Sequence, residues 1–268
     1  MKKRYIIFLI ILFYSAGFLR ITQAQTEPPI APPQLEISKQ QYIQSLDVYR
    51  EKEQKFLISR EQYNQLQTLA SLEEVVRTSK DVQLARMDTL TAYFNTLLLS
   101  IQNLKGAEIT KKANQGQLLQ TALVEIERQR NTILTSNDRV TLDKTSANYD
   151  DKQGAFSSIA YSSLALIKIS NIQSATDQLG VLTGEVYTSI QESSPSATIF
   201  AEKQRGYDEL ARTIETIKMS TKKATQQYDN ISGRDLFTQG AYAQIVETLG
   251  TGYAKLKQGE SFIQELAQ

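Results

Sequence analysis

The chain has no histidine, no cysteine and no tryptophan, and among its 268 residues only 12 are glycine and 5 are proline. Each absence excludes a chemistry. Without His or Cys there is no imidazole base, no thiolate nucleophile and no Cys/His zinc or iron–sulfur site. Carboxylate-bridged iron sites of helical bundles use Glu-x-x-His, which this chain cannot supply. Disulfides cannot form, so the composition neither requires nor forbids an oxidising compartment. An excess of either charge is missing too, since the chain sums to +1. Residues 1–24 hold Lys2, Lys3, Arg4 and Arg20 and no acid, which leaves 26 bases against 29 acids in the remainder, a net of −3. Such a balance gives no general attraction to nucleic acid or to anionic membrane.

What remains is the composition of a folded protein, 41% apolar and 22% charged, well away from the disordered range. No stretch alternates apolar and polar residues over strand length between turns, so the expectation is an all-α fold. The chain from Leu35 to Leu104 contains no Pro and no Gly. As one helix it would be about 105 Å long. Its first half repeats at seven residues through Leu35, Tyr42, Tyr49, Phe56 and Tyr63. Its second half carries a fuller seam of Met87, Leu90, Phe94, Leu97, Ile101 and Leu104, at the alternating three and four of packed helices. Ser71-Leu72-Glu73-Glu74 has the form of a capping box, so a second helix could begin after a turn near Thr68–Ala70. A break or kink there is set against one continuous helix with Ser71 simply on its surface.

The N-terminus reads as an export signal. Met1–Arg4 is basic, Tyr5–Leu19 is uncharged and apolar, and Thr22-Gln23-Ala24 forms a small-x-small cleavage site before Gln25. The apolar run, about 15 residues, is shorter than the roughly 20 that span a bilayer. An uncleaved anchor with Arg20 at the outer surface is the alternative. Both readings place the rest of the chain outside the cytoplasm, in the periplasm or beyond, and the simple Lys-rich signal suggests a bacterium. Residues 25–34 hold four of the prolines and read as a stiff polyproline-like spacer.

Further helices are expected over 117–135, 154–192, 197–231 and 235–267. Leu119, Ala122, Ile126 and Ile133 share one face of the first. Residues 136–154 are polar and read as a connection with a short helix. Gly154–Ile167 is an uncharged run whose Phe156, Ala160, Leu164 and Ile167 recur at helical spacing, continued by Leu182 and Val186. Its serines and Lys168 favour a buried helix over a membrane span. Ser193–Ser196 with Pro195 is a break, Ser196 being a good N-cap. The cleanest seam runs through Phe200, Lys203, Tyr207, Leu210, Ile214, Ile217, Thr221, Ala224, Tyr228 and Ile231. It resumes, after Ser232-Gly233 and a capping Asp235, through Tyr242, Ile245, Leu249, Gly252, Leu256, Gly259, Ile263 and Leu266. The short connection demands an antiparallel hairpin. Gly252 and Gly259 lie on the seam, where a missing side chain lets a neighbour approach.

Motifs for chemistry are weak. Ser220-Thr221-Lys222-Lys223 has the Ser-x-x-Lys spacing of serine acyl-transfer enzymes, without their companion motifs in order. Gly250-Thr251-Gly252 follows no strand. Glu73-Glu74 and Asp150-Asp151 are sequence neighbours, about 100° apart on a helix, and cannot share a face. Asn148–Gly154 is acidic like a calcium loop but places Lys152 at a ligand position. Asn230-Ile231-Ser232 is a formal glycosylation sequon. Lys111-Lys112 and Lys222-Lys223 read as solvated surface. No catalytic, cofactor-binding or metal residue is assigned, and no cofactor is expected.

The expectation is therefore an elongated antiparallel bundle of five or six long helices with coiled-coil-like packing, after a signal or anchor and a Pro-rich linker. Function reduces to a non-enzymatic exported scaffold or interaction protein of the cell envelope, or a subunit of a larger envelope assembly. A protein partner or self-association is expected, no nucleic acid, and membrane contact only through Tyr5–Leu19 if uncleaved. Tyr42, Tyr49, Phe56 and Tyr63 are the candidate interaction surface, unless another helix of the chain covers them. Alternatives are a membrane-active protein inserting Gly154–Ile167 and an enzyme confined to carboxylate, Tyr, Ser or Lys chemistry. The general layout resembles helical periplasmic subunits of bacterial secretion and pilus systems.

Overall fold

A computed structural model describes residues 33–193, 197–232 and 237–266. Among them there are six helices and no strand: α1 Pro33–Leu66, α2 Leu69–Gln102, α3 Ile109–Thr135, α4 Arg139–Ser193, α5 Ala197–Ser232 and α6 Gln239–Leu266. The export segment, most of the proline spacer, the Ser194–Ser196 break and Asp235 lie outside the described residues. Pro33 is the first residue of α1, a position where its missing N–H costs nothing.

The long breaker-free stretch is two helices. Gln67 takes a left-handed φ of 47°. Thr68 then caps α2, accepting from the Ser71 amide while Ser71 Oγ accepts from the Thr68 amide. The capping box therefore exists, but three residues earlier: Thr68 is the cap and Ser71 its reciprocal partner, in place of Ser71 and Glu74. α1 and α2 run antiparallel, and their seam has two interleaved ladders. The expected aromatic one is joined by Ser38, Ser45, Lys52 and Ser59. Ser38 Oγ lies 2.8 Å from Thr96 Oγ1, the Ser45 carbonyl accepts from Thr89 Oγ1 at 3.0 Å, Lys52 pairs with Asp81 at 3.1 Å, and Ser59 Oγ lies 2.6 Å from Thr78 Oγ1.

α3 begins at Ile109, eight residues before the expected start at Gln117, so Lys111–Gly116 is helix. The polar passage 136–154 also corrects the sequence reading. Asp138 Oδ1 accepts from the Thr141 amide at 2.9 Å and starts α4 there, fifteen residues earlier than expected. Leu142 and Thr145 are buried on that first part of the helix. α4 is 55 residues long, about 82 Å at 1.5 Å per residue.

This helix joins two bundles. Its first half packs with α2 and α3: Gln83 Nε2 donates to the Leu142 carbonyl, and the Phe94 and Phe156 rings lie 6.0 Å apart. Its second half packs with α5 and α6, where the Tyr187 and Tyr207 rings are 4.5 Å apart. α5 and α6 are antiparallel. Ser220 Oγ donates to the Thr248 carbonyl at 2.6 Å, and Lys203 Nζ reaches the Leu266 carbonyl at 3.4 Å. One hydrophobic core runs through both bundles, from Tyr42 to Leu266.

The expected core faces are present on α2, α3, α5 and α6: Phe94, Leu97, Ile101, Leu119, Ile126, Leu210, Ile217, Ile245 and Leu249 are at most 1% exposed. The face of α4 differs. Leu182 is 46% exposed, while Ser163, Ser170, Thr176 and Thr183 are buried. The last three hydroxyls donate to carbonyls one turn back, at 2.7, 2.6 and 2.6 Å. Self-satisfied hydroxyls behave as small core residues, and they let α4 sit close to neighbours on two sides. Gly252 and Gly259 do the same from α6: a Cβ there would fall 2.6 Å from Ile172 Cδ1 and 2.8 Å from Leu179 Cδ2. Gly154–Ile167 lies within α4, with Phe156, Ala160 and Ala165 in the core. Among the described residues no helix is long and apolar enough to cross a membrane.

Candidate functional site

The aromatic stripe of α1 is covered from within. Tyr42 and Tyr49 are 4% and 5% exposed, against α2. Tyr42 stacks on Tyr93 at 5.2 Å, and the Tyr49 ring has the Arg86 guanidinium 5.9 Å from its centroid. Arg86 also lies 4.9 Å from the Tyr149 ring, so it joins α1, α2 and α4. Phe56 and Tyr63 are half-buried. Tyr42 and Tyr49 are therefore core residues and not a free surface.

A hollow lies elsewhere, where the two bundles overlap. α2 stops at Gln102 and α3 starts at Ile109, while α4 and α5 continue past the turn between them. The turn rests directly on α4: a Cβ at Gly106 would collide with the Ser170 carbonyl and sit 2.9 Å from the Ser174 nitrogen. Between this turn, α4 and α5 opens a groove of about 740 Å³. Its floor includes Leu166 and Ile169, both buried, and its walls carry Lys105, Lys111, Lys218 and Lys222 against Glu108 and Asp177.

Lys111 is held by Asp229, at 2.6 Å, and more loosely by Glu108 at 3.8 Å. Lys105, Lys218 and Lys222 are exposed and enter none of the ion pairs found among the described residues. Glu108 is the N-cap of α3 but its side chain makes no capping bond, accepting instead from Thr110 Oγ1 at 2.6 Å. The positive end of a 27-residue helix is thus left open beside the lysines.

Hydroxyls in the groove are committed. Ser170, Thr176, Thr221 and Thr225 donate to carbonyls of their own helices at 2.6–2.9 Å. Tyr228 donates to Gln115 at 3.2 Å, and burial, reinforced by Asp229, pushes its phenol up to about 12. None of these oxygens is paired with a base that would activate it. What the groove offers is positive charge above an apolar floor. Ser220 of the Ser-x-x-Lys sequence donates to the Thr248 carbonyl on α6.

The other motifs resolve in the same way. Gly252 is a helix contact, and Asn148–Gly154 is continuous helix with no loop to wrap a cation. Among the described residues no group of three or more acidic side chains is placed to hold a metal ion. Asn230 is exposed on the last turn of α5. A smaller hollow of about 440 Å³ at the α3–α4 turn is lined by Lys80, whose amine donates to the Leu134 carbonyl and Asn137 Oδ1.

Lys105 and Lys111 stand more than a hundred residues from Lys218 and Lys222 in sequence, and only the stagger of helix ends brings the two pairs together. Their one local signal was the pair of lysine doublets, which fit a solvated surface equally well. Comparison of the chain with protein-family models, curated proteins and solved structures finds no match.

Proposed function

We propose that this chain is a non-enzymatic helical scaffold or interaction protein, exported to the cell envelope or extracellular space and serving there as a subunit of a larger assembly. The observation that supports it is α4, a single 55-residue helix that serves both bundles. Such a spine fixes two packed bodies at a set separation and orientation, which is the mechanical requirement of a spacer or adaptor. The export part rests on Met1–Ala24, and the groove at the overlap supplies a surface for a partner.

The test is N-terminal sequencing of the chain recovered from fractionated cells, followed by small-angle scattering. A chain that starts at Gln25 outside the cytoplasm, or is retained by Tyr5–Leu19 at the membrane, supports the reading. So does a maximum dimension of at least about 80 Å, the length of α4. A cytoplasmic chain, or a particle shorter than its own spine, overturns it.

A further inference from the structure

We infer that the groove between the 103–108 turn, α4 and α5 is a docking site for an extended acidic segment of a partner protein. The inference rests on the scaffold reading and names the chemistry of its partner.

Shape is the first argument. Leu166 and Asp177 bound the groove along α4, an eleven-residue rise of about 16 Å. That length accommodates roughly five residues of extended chain at about 3.3 Å each. Charge is the second. Among the described residues Lys105, Lys218 and Lys222 have no ion partner, and all three line the groove, together with the N-cap of α3, which no side chain caps. A bidentate arginine fork, the geometry that grips a compact anion such as phosphate, is absent from the lining of the groove. A row of separate ammonium groups suits carboxylates spaced along a chain. The apolar lining is the third: Leu166 and Ile169 share the groove with the lysines, so a strand with acidic and apolar side chains on alternate faces suits both. Asp177 and Glu108 stand at the rim and would repel a segment in the wrong register.

The probe is a fluorescein-labelled hexapeptide alternating glutamate and leucine, titrated by polarisation against the full chain. Saturable binding is expected at low salt and is expected to be lost at about 0.5 M salt, where the screening length falls to a few ångströms. A lysine–leucine peptide should not bind. Lys218→Glu with Lys222→Glu should weaken binding by roughly tenfold or more, about 1.4 kcal/mol. Both residues are exposed, so the helical signal and melting temperature should hold, and Lys105→Glu provides an independent second variant. Lys144→Glu, on an exposed part of α4 in the other bundle, should leave binding unchanged. The inference is overturned by absence of saturable binding, by equal binding in the double variant, by equal loss with Lys144→Glu, or by displacement of the peptide with inorganic phosphate when chloride at the same ionic strength leaves it bound. An exported, folded, elongated chain that fails this titration loses the acidic-segment site alone; a chain that is not exported or not elongated loses the scaffold reading.

Discussion

The phenol of Tyr228 on α5 donates to Oε1 of Gln115 on α3 across 3.2 Å. The amide of the same Gln115 donates to Ser162 Oγ at 2.9 Å and Ser163 Oγ at 2.8 Å on α4. One side chain, 3% exposed, therefore ties three helices together where the two bundles overlap. An amide that is buried and satisfied stabilises only as long as its partners stay.

Replacing Gln115 by Leu should strand the Tyr228 hydroxyl in the core, and Tyr228→Phe should strand Gln115 Oε1, each at a cost of about 1–3 kcal/mol. Thermal melts would register this as a drop of several degrees for either variant, and the double variant should lose less than the sum of the two. Absent or strictly additive shifts would show that the amide is not the tie described.

Alkaline pH should act through the same phenol. Burial pushes Tyr228 and Tyr242 up to about 12, against about 10 in an unfolded chain. Below pH 10 both states keep the proton and stability is full. Between pH 10 and 12 the unfolded chain releases protons that the folded one retains, so stability falls by up to about 1.4 kcal/mol per pH unit for each group. Urea midpoints taken from pH 9 to 12 should fall steeply over that interval, and Tyr228→Phe should flatten the slope.

Sequence periodicity revealed those parts of the fold in which burial is apolar. Phe94, Leu97 and Ile101 announce their face, as do Ile214, Ile217 and Ile245. It concealed the parts in which burial is polar. Ser38 and Ser59 hold the α1–α2 seam through hydroxyl pairs, so α1 read as thinly apolar and its tyrosines as a free stripe. Asp138–Gly154 read as a connection because Thr145 and its neighbours count as polar, although an N-cap and two buried positions suffice to hold that turn of helix. The groove was invisible for a different reason: it depends on where α2 and α3 stop relative to α4, which no local pattern encodes.

The glycines divide into two kinds with opposite expectations. A Cβ at Gly252 or Gly259 would press on the side-chain tips of Ile172 or Leu179, and because both side chains are buried in the core their displacement carries an overpacking cost of about 1–3 kcal/mol, against a helix-propensity gain of about 1 kcal/mol. At Gly180 and Gly184 a Cβ meets nothing within 4 Å, so only the gain remains. Alanine should lower the melting temperature at the first pair and raise it at the second. A rise at Gly252 or Gly259 would mean that α4 and α6 are not in close contact there.

α1 should open before the rest of the molecule. Among the described helices it packs against α2 alone, and its buried large side chains are Tyr42 and Tyr49. Detaching it exposes few apolar groups, and the serine hydroxyls of its seam exchange their partners for water at small net cost. Local opening of that kind needs less free energy than global unfolding. Hydrogen exchange should therefore run faster in Pro33–Leu66 than in Met87–Gln102, the part of α2 that also faces α3 and α4. Tyr49→Ala removes one of the two anchors and the ring facing Arg86, so it should accelerate exchange in α1 while leaving α5 and α6 unchanged. Protection of α1 equal to that of α2 would show that the two bundles and the arm unfold as one cooperative unit.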